Sequence, residues 1–253
     1  MKNELQPFRN GSMSEDAHAI EAALAEIEAR EKRNTGRGVG ITARLMFGLD
    51  LTESRKATLD DARISIAAMF KALSKINAGI AVKLAYFRGW DGECRASEWH
   101  TDPEVLTGAM ERLSCKSGET QIAKILRLAL RDEKPSGVIY VGDTCEEKSA
   151  ELVGLAAALG QKRTPIFVFH DLAGNDPDAV KRAEPVFRRM AEVSGGAYSA
   201  FGEGSAAALR ELLSTVAAFS SGGAAAVQRI EPVTTPQAKQ LQARLLLGPG
   251  GDR

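Results

Sequence analysis

A doubly wound α/β domain, with a mostly parallel central sheet and helices on both faces, is predicted by the order of apolar segments in this chain. Short runs rich in β-branched and aromatic residues, such as Val138–Gly142 and Pro165–Phe169, alternate with longer segments whose apolar residues recur at helical spacing. This alternation indicates parallel strands joined by helical crossovers. Such sheets are covered on both faces, and they bind ligands beyond the carboxyl ends of their strands.

The strand segments are short apolar or alternating runs. One of them, Arg95–Trp99, is polar and is expected at an edge of the sheet. The predicted strands are Ala43–Asp50, Ile80–Phe87, Arg95–Trp99, Val138–Gly142, Pro165–Phe169 and Ala197–Phe201.

The helical segments have apolar residues three and four positions apart. One begins with a proline in its first turn, and another ends at Gly195-Gly196, a typical carboxyl-terminal stop. The predicted helices are Leu59–Ile76, Pro103–Leu113, Gln121–Arg131, Lys148–Leu159, Ala179–Ser194 and Ser205–Phe219.

Composition divides the chain into a central domain and two extensions. Residues 1–40 contain a polar tail, a helical pattern over 14–33 and a glycine-rich linker at 34–38. Residues 41–221 form the predicted domain. Residues 222–253 are rich in Ala, Gln, Pro and Thr, which predicts a flexible extension with a short helix near 236–247.

Charge and cysteine content narrow the classes of partner and location. The chain has 33 basic residues, counted as Lys and Arg, and 33 acidic residues, counted as Asp and Glu, so its formal net charge is zero. A neutral chain offers no long-range attraction to nucleic acid or to an anionic membrane. Three widely spaced cysteines form neither a disulfide framework nor a zinc motif, which favours a reducing compartment. No signal peptide or membrane-spanning run is visible, so we expect a cytoplasmic protein.

Hard oxygen ligands stand in three loops of the predicted domain. Asp50, Thr52 and Ser54 follow the first strand directly, Thr120 precedes a helix, and Asp143 follows the strand Val138–Gly142. Two carboxylates and three hydroxyls suit Mg²⁺, which prefers six oxygens, and Mn²⁺ accepts the same ligands. Because the hydroxyls are neutral, the bound ion retains positive charge that favours a carboxylate from outside.

Here the sequence resembles the von Willebrand factor type A (vWA) domain, a Rossmann-like fold. The order Asp50-x-Thr52-x-Ser54, Thr120 and Asp143 is similar to that family's metal-ion-dependent adhesion site, MIDAS, whose pattern is D-x-S-x-S, then Thr, then Asp. The resemblance covers residues 41–221. Three segments are further similar to a stand-alone bacterial cytoplasmic group of such domains without assigned activity: GLDLTESRKATLDDA, YFRGWDGECRASEWHTDP and IYVGDTCEE.

The resemblance implies a non-enzymatic module that uses Mg²⁺ to bind an acidic side chain of a partner protein. Thr52 departs from the family pattern but keeps the hydroxyl, whereas Glu53 replaces a usual glycine and could repel an acidic partner. Two alternatives remain, a metal-dependent hydrolase and a metal-free scaffold. The oligomeric state is left open.

Simpler interpretations of single residues also remain. Thr120 and Asp143 could cap helices, and Asp50 with Thr52 could cap a turn. Cys145 is expected to be an idle thiol, because no histidine lies near it in the sequence. His18, His100 and His170 are dispersed, and His170 is interpreted as a strand-end residue. Trp90 is expected to pack in the core or at an edge of the sheet, and the alternative is that it is exposed and contacts a partner.

Overall fold

The structure is a computed structural model that describes residues 6–7, 43–56, 79–102, 108, 110, 112–132, 135–202, 206–230 and 232–247. The predicted helices at 14–33 and 59–76 and the linker at 34–38 lie outside these residues. Of the helix predicted at 103–113, the structure describes a few positions, and residues 108 and 110 are helical.

The central sheet has the predicted, mostly parallel character. The strands are β1 Gln6–Pro7, β2 Ala43–Asp50, β3 Ile80–Arg88, β4 Glu93–Ala96, β5 Gly137–Gly142, β6 Ile166–Asp171 and β7 Ala197–Phe201. Their order in the sheet is β1-β4-β3-β2-β5-β6-β7, and every neighbouring pair is parallel except β3 with β4.

Helices follow the strands as the sequence predicts, with ends that differ by a few residues, and the last domain helix extends furthest beyond its predicted end. A short 3-10 helix, Glu53–Arg55, comes directly after β2. Within the described residues, no helix combines the length and apolar character that crossing a membrane requires. The α-helices are α1 Ile122–Arg131, α2 Ser149–Gln161, α3 Pro177–Ser194, α4 Ala206–Val227 and α5 Pro236–Leu247.

Helices cover both faces of the sheet because successive strand residues point to opposite sides. On strand β2, Leu45 and Phe47 pack into a cluster with buried residues of α4 and α5. Met46, between them, packs into the opposite cluster with buried residues of α1, α2 and α3. The near-continuous burial of β2, β3 and β5 follows from this two-sided cover.

The polar strand predicted at Arg95–Trp99 is displaced, since the structure places β4 two residues earlier. Its ladder is interrupted at Ser97, whose hydroxyl replaces a main-chain carbonyl as the acceptor for the Leu84 N–H at 3.0 Å. The same hydroxyl donates to the Glu98 carbonyl at 2.7 Å. The two-residue strand β1 pairs outside β4, so β4 is not the outermost strand.

Helix α5 packs on the domain, in place of the flexible extension expected from composition. Helix α4 is interrupted at Gly222–Gly223, where the backbone leaves helical geometry. After the turn that follows, α5 places Ala238, Leu241 and Leu245 in the same apolar cluster as Phe47. The predicted bounds of this helix are confirmed.

A carboxylate on α4 fixes the start of α5. Glu211 accepts hydrogen bonds from the N–H groups and hydroxyls of Thr234 and Thr235, at 2.6–3.1 Å. Burial alone would raise the pKa of Glu211, but these hydrogen bonds outweigh it and lower the pKa to about 2. The carboxylate therefore stays ionised and satisfies donors that precede the helix.

We predict that α5 contributes to the stability of the domain. Leu241 is 4% exposed, so Leu241→Ala should lower the free energy of unfolding by about 2–4 kcal/mol. Leu246, on the same helix, is 38% exposed, and Leu246→Ala should cost less than about 1 kcal/mol. Urea denaturation of both variants measures the difference, and equal small losses would show that α5 does not pack stably.

Candidate metal site

Two acidic residues meet at the carboxyl edge of the sheet because neighbouring parallel strands end there. Strands β2 and β5 are paired, with Leu49 opposite Val141, so Asp50 ends β2 beside the point where Asp143 leaves β5. Asp50 is 2% exposed and Asp143 is fully buried. Sheet topology alone therefore brings together two carboxylates that lie 93 positions apart in the sequence.

The loop after β2 forms a compact hydroxyl cluster on Asp50. Its Oδ1 atom accepts hydrogen bonds from the Thr52 N–H at 2.8 Å and from the Thr52 hydroxyl at 2.7 Å. The Thr52 oxygen also lies 3.1 Å from the Ser54 hydroxyl oxygen. The three residues predicted from the D-x-T-x-S pattern are thus side by side, and the capped turn considered as an alternative is part of the same geometry.

The segment that leads to Thr120 is held against this loop by main-chain contacts. The Lys116 N–H donates to the Leu51 carbonyl at 3.0 Å. Gly118 lies so close to the main chain of Gly89 that a Cβ atom there would overlap it. These contacts carry Thr120 to the same edge of the sheet as Asp50 and Asp143.

Two glutamates from the loop after β5 orient Thr120. The Thr120 hydroxyl donates to Glu147 Oε2 at 2.6 Å and accepts from the Glu146 N–H at 2.8 Å. A hydroxyl has one proton and two lone pairs, so one lone pair of Thr120 remains for a cation. A carboxylate that accepts the proton of a ligand also fixes the ligand's orientation, as outer partners of metal sites do.

The helix-cap interpretations of Thr120 and Asp143 are wrong. Helix α1 begins at Ile122 without a side-chain cap from Gln121, and the carboxylates of Glu146 and Glu147 instead accept the N–H groups of Thr120 and Ala123. Helix α2 begins six residues after Asp143 and receives no hydrogen bond from it. Neither the Thr120 hydroxyl nor the Asp143 carboxylate therefore caps a helix.

Asp143 is the most exceptional group at this edge. Neither of its carboxylate oxygens has a hydrogen-bond partner among the described residues, although the side chain is fully buried. Gly174 lies close above it, so that a Cβ atom at Gly174 would be 2.6 Å from Asp143 Oδ2. His170 holds the Asp143 main chain, with Nε2 2.9 Å from the Asp143 carbonyl oxygen and Nδ1 2.8 Å from the Tyr198 hydroxyl.

These side chains surround one open cleft of about 260 Å³. Four of the five predicted ligands line it, and Asp50 joins them through its hydrogen bonds to Thr52. The structure thus brings the five residues together, while their role as metal ligands stays a prediction. The cleft is lined by Thr52, Glu53, Ser54, Trp90, Ser117, Gly118, Thr120, Asp143, Thr144, Glu146, Asn175, Asp176 and Ala179.

The donor set fits a hard divalent cation. Described residues include no group of three or more His, Cys, Asp or Glu side chains arranged to hold a metal, so a zinc or iron site of that kind is not present among them. Two carboxylates with three hydroxyls instead match the oxygen preference of Mg²⁺ or Mn²⁺. A buried carboxylate without donors is costly, and a cation would remove that cost.

The neighbouring thiol does not extend this chemistry. Burial, together with the charges of Glu147 and Glu146, raises the pKa of Cys145 to about 12. The thiol is therefore protonated near neutral pH, and thiols are nucleophilic only when ionised. This favours the interpretation of Cys145 as an idle residue.

A buried ion pair supports the segment that precedes Thr120. Arg88 is fully buried and donates to Glu93 at 3.0 Å and to the carbonyl of Ser114 at 2.7 Å. Burial alone would raise the pKa of Glu93, but the hydrogen bond and charge of Arg88, with the charges of Lys116 and Arg95, lower it. The pair links the β3–β4 hairpin to the Thr120 loop.

The comparisons with known proteins agree on the fold. The sequence matches no family model and no curated protein. Among solved structures, the VWA domain of SpRpn10 has 14% identity and a TM-score of 0.51, over 70% of this chain and 94% of that domain. The pilus adhesin SpaC from Lactobacillus rhamnosus GG has 11% identity and a TM-score of 0.57, over 72% of this chain and 30% of the adhesin.

A third similar structure carries a metal. It is proximal thread matrix protein 1 from the mussel byssus, described with a zinc-occupied MIDAS motif, at 14% identity and a TM-score of 0.51. The match covers 69% of this chain and 46% of that protein, so this chain spans less than half of it. Identities this low establish the fold and not the activity.

We predict that Glu147 strengthens metal binding without contacting the ion. Glu147→Gln should weaken Mg²⁺ binding by about 10-fold, because an amide accepts the Thr120 proton less strongly and carries no charge. Titration calorimetry measures the affinity. Glu151→Gln is the matched control, since Glu151 lies on α2 and pairs with Arg127 at the surface. Equal affinities of the two variants would contradict the prediction.

We predict that the Arg88–Glu93 pair makes the protein sensitive to acid. The pKa of Glu93 is lower in the folded state than its ordinary value of 4.5, so its stabilising contribution is present above about pH 4.5. That contribution is lost as the pH falls through the folded-state pKa.

Denaturation curves between neutral pH and pH 3 measure this effect. Glu93→Gln should lose about 3 kcal/mol at neutral pH, since Arg88 stays buried without its partner, and should respond less to acid. The exposed Glu119→Gln is the control and should follow the wild-type profile. A wild-type profile for Glu93→Gln would contradict the proposed linkage.

Proposed function

We propose that this chain, which has the fold of von Willebrand factor type A domains, is a protein-binding module that engages a partner's acidic side chain through a divalent cation. The observation that carries the proposal is the buried Asp143 carboxylate, which has no hydrogen-bond donor among the described residues and faces a cleft lined by hydroxyls. Asp50, Thr52, Ser54, Thr120 and Asp143 would hold the ion.

The argument from energy favours a cation at this place. Burial of a carboxylate without compensation costs several kcal/mol, and such groups are normally paired or bound to metals. Asp50 is compensated in part by Thr52, whereas Asp143 is not. Asp50, Thr52, Ser54, Thr120 and Asp143 would hold the cation, which would supply a Lewis acid to the cleft. An incoming carboxylate can bind to that cation.

The choice of Mg²⁺ rests on ligand chemistry. The mussel protein is described with zinc in its MIDAS motif, so a divalent ion is compatible with this fold. Structural zinc sites in proteins are built mainly from Cys and His, whereas Mg²⁺ prefers oxygen ligands and retains water. The five side chains proposed here offer oxygen alone, which favours Mg²⁺ or Mn²⁺.

Binding is favoured over catalysis by the character of the cleft. Its lining, as far as the described residues define it, includes no lysine or arginine to hold a phosphate. The nearest thiol is protonated, because its pKa is raised to about 12. We also propose a cytoplasmic location, which agrees with three cysteines that are free thiols.

We predict that Asp143 lowers the stability of the metal-free protein and is required for its stabilisation by Mg²⁺. Mg²⁺ at 100 times its Kd should raise the free energy of unfolding of the wild type by about 2.7 kcal/mol. Asp143→Asn should remove that gain while leaving the metal-free protein as stable as the wild type or more stable, because the uncompensated buried charge is gone. Calorimetry with Mg²⁺ and with chelator measures both effects.

The controls separate metal binding from general damage. Asp178→Asn, on the exposed first turn of α3, should keep the full response to Mg²⁺. Asp50→Ala should lose it, and a pull-down from native lysate should recover the same proteins with this variant as with chelator. A wild type whose unfolding temperature does not change at millimolar Mg²⁺, alone or with the recovered partner, would end the proposal.

A further inference from the structure

The cleft carries more acidic residues than the two carboxylates that are proposed to bind the metal. Its lining includes Glu53, Asp143, Glu146 and Asp176, and no basic residue among those described. Asp50 and Glu147 lie directly behind it, through their hydrogen bonds to Thr52 and Thr120. A divalent ion balances two of these six charges, and a partner's carboxylate adds one more.

Two cations of the described part of the chain pair with carboxylates that line the cleft, and neither offsets this excess. Lys56 pairs with Glu53 at 3.3 Å, but its side chain is 76% exposed and does not line the cleft. Arg182 lies 3.9 Å from Asp176, and both side chains are more than half exposed. Pairs of this kind are screened by solvent and contribute little. Among the described residues, the surroundings of the cation are therefore negatively charged, which opposes the approach of an acidic group that has no basic neighbour.

An exposed tryptophan stands on the same rim. Trp90 is 73% exposed and lines the cleft, in the turn that joins β3 to β4. Gly89 and Gly92 have positive φ angles of 77° and 75° in this turn, and the main chain of Gly89 packs against Gly118. An exposed indole attracts cations over its face more strongly than other aromatic rings do.

Resting on the proposed function, we propose that the partner presents an arginine or lysine next to the acidic residue that reaches the metal, and that this cation binds at the rim formed by Trp90 and Glu53. Strands β2 and β3 are neighbours, so the loops that carry Glu53 and Trp90 leave the same part of the edge. The buried carboxylate of Asp143, without donors among the described residues, points to a ligand in this cleft independently of the rim.

Glu53 acquires a specific role in this arrangement. It stands between the presumed ligands Thr52 and Ser54, with a side chain 46% exposed and paired at the surface with Lys56. Its charge repels a partner with neighbouring acids and attracts one with a neighbouring base. The rim therefore favours acidic partners in which a basic residue, and not a second acidic residue, stands next to the acidic residue that binds the metal.

Three capped dipeptides test the inference on the full chain in Mg²⁺. They are acetyl-Asp-Arg-amide, acetyl-Asp-Ala-amide and acetyl-Asp-Glu-amide, compared by titration calorimetry. The arginine peptide should bind about 5-fold more tightly than the alanine peptide, and the glutamate peptide more weakly than both. Higher salt should reduce these differences.

Variants assign the differences to the rim. Trp90→Ala and Glu53→Gln should each reduce the advantage of the arginine peptide over the alanine peptide, and Glu53→Gln should also reduce the disadvantage of the glutamate peptide, because the repelling charge is gone. Leu172→Ala is the matched control, because Leu172 is 51% exposed but does not line the cleft. Its peptide preference should equal that of the wild type.

The outcomes separate this inference from the function on which it rests. Equal affinity for the three peptides would overturn the proposal that Trp90 and Glu53 bind a basic residue. An equal loss of affinity for all three peptides in Trp90→Ala would do the same. Either result leaves metal-dependent binding of a carboxylate in place. Failure of all three peptides to bind in Mg²⁺, or binding that persists in chelator, overturns both.

Discussion

The burial of two carboxylates side by side is the constraint around which this molecule is arranged. Parallel pairing of β2 with β5 forces Asp50 and Asp143 to leave the sheet at the same edge, where helices keep water away from them. Thr52 satisfies one oxygen of Asp50, but no described residue donates to Asp143. A fold that tolerates this cost retains a place suited to a cation.

The groups around this pair are held by contacts from distant parts of the chain. The buried Arg88 pairs with Glu93 on the β3–β4 hairpin and donates a hydrogen bond to the carbonyl of Ser114. Gly89 approaches position 118 so closely that only a glycine fits there. His170, on β6, holds the main chain of Asp143. The loops of the site are therefore positioned by rigid strands, as precise ligand geometry requires.

Acidity distinguishes this cleft from a simple arrangement of five oxygen ligands. Glu146 and Glu147 orient Thr120 and bring two further negative charges to the site. Glu53 adds another beside the presumed ligands. The similar solved structures establish the fold, but a fold hosts many functions. The proposed choice of partner rests instead on the charges and the exposed Trp90 of this chain.

The amino-acid sequence was sufficient for the order of the described elements and for placing the five oxygen-bearing residues at strand ends, while their role as metal ligands stays a prediction. Alternating apolar segments specify a parallel sheet, because such strands are buried on both faces, and the D-x-T-x-S loop with Asp143 falls at strand ends by the same logic. Ala43–Asp50 was predicted with its observed bounds. These features depend on local periodicity, which neighbouring residues encode.

Other features depend on contacts between residues far apart in the chain, which periodicity does not report. The hydrogen bond between Glu147 and Thr120 spans 27 positions, and the local pattern around neither residue predicts it. The Ser97 hydroxyl accepts a hydrogen bond from the Leu84 N–H just beyond the end of β4. Helix α5 packs where composition suggested flexibility, because its apolar side chains join a cluster that includes residues of α4 and the sheet. The local sequence pattern determined which residues stand at the edge of the sheet. The tertiary structure decided which of those residues contact one another, because hydrogen bonds and burial join residues that are far apart in the sequence.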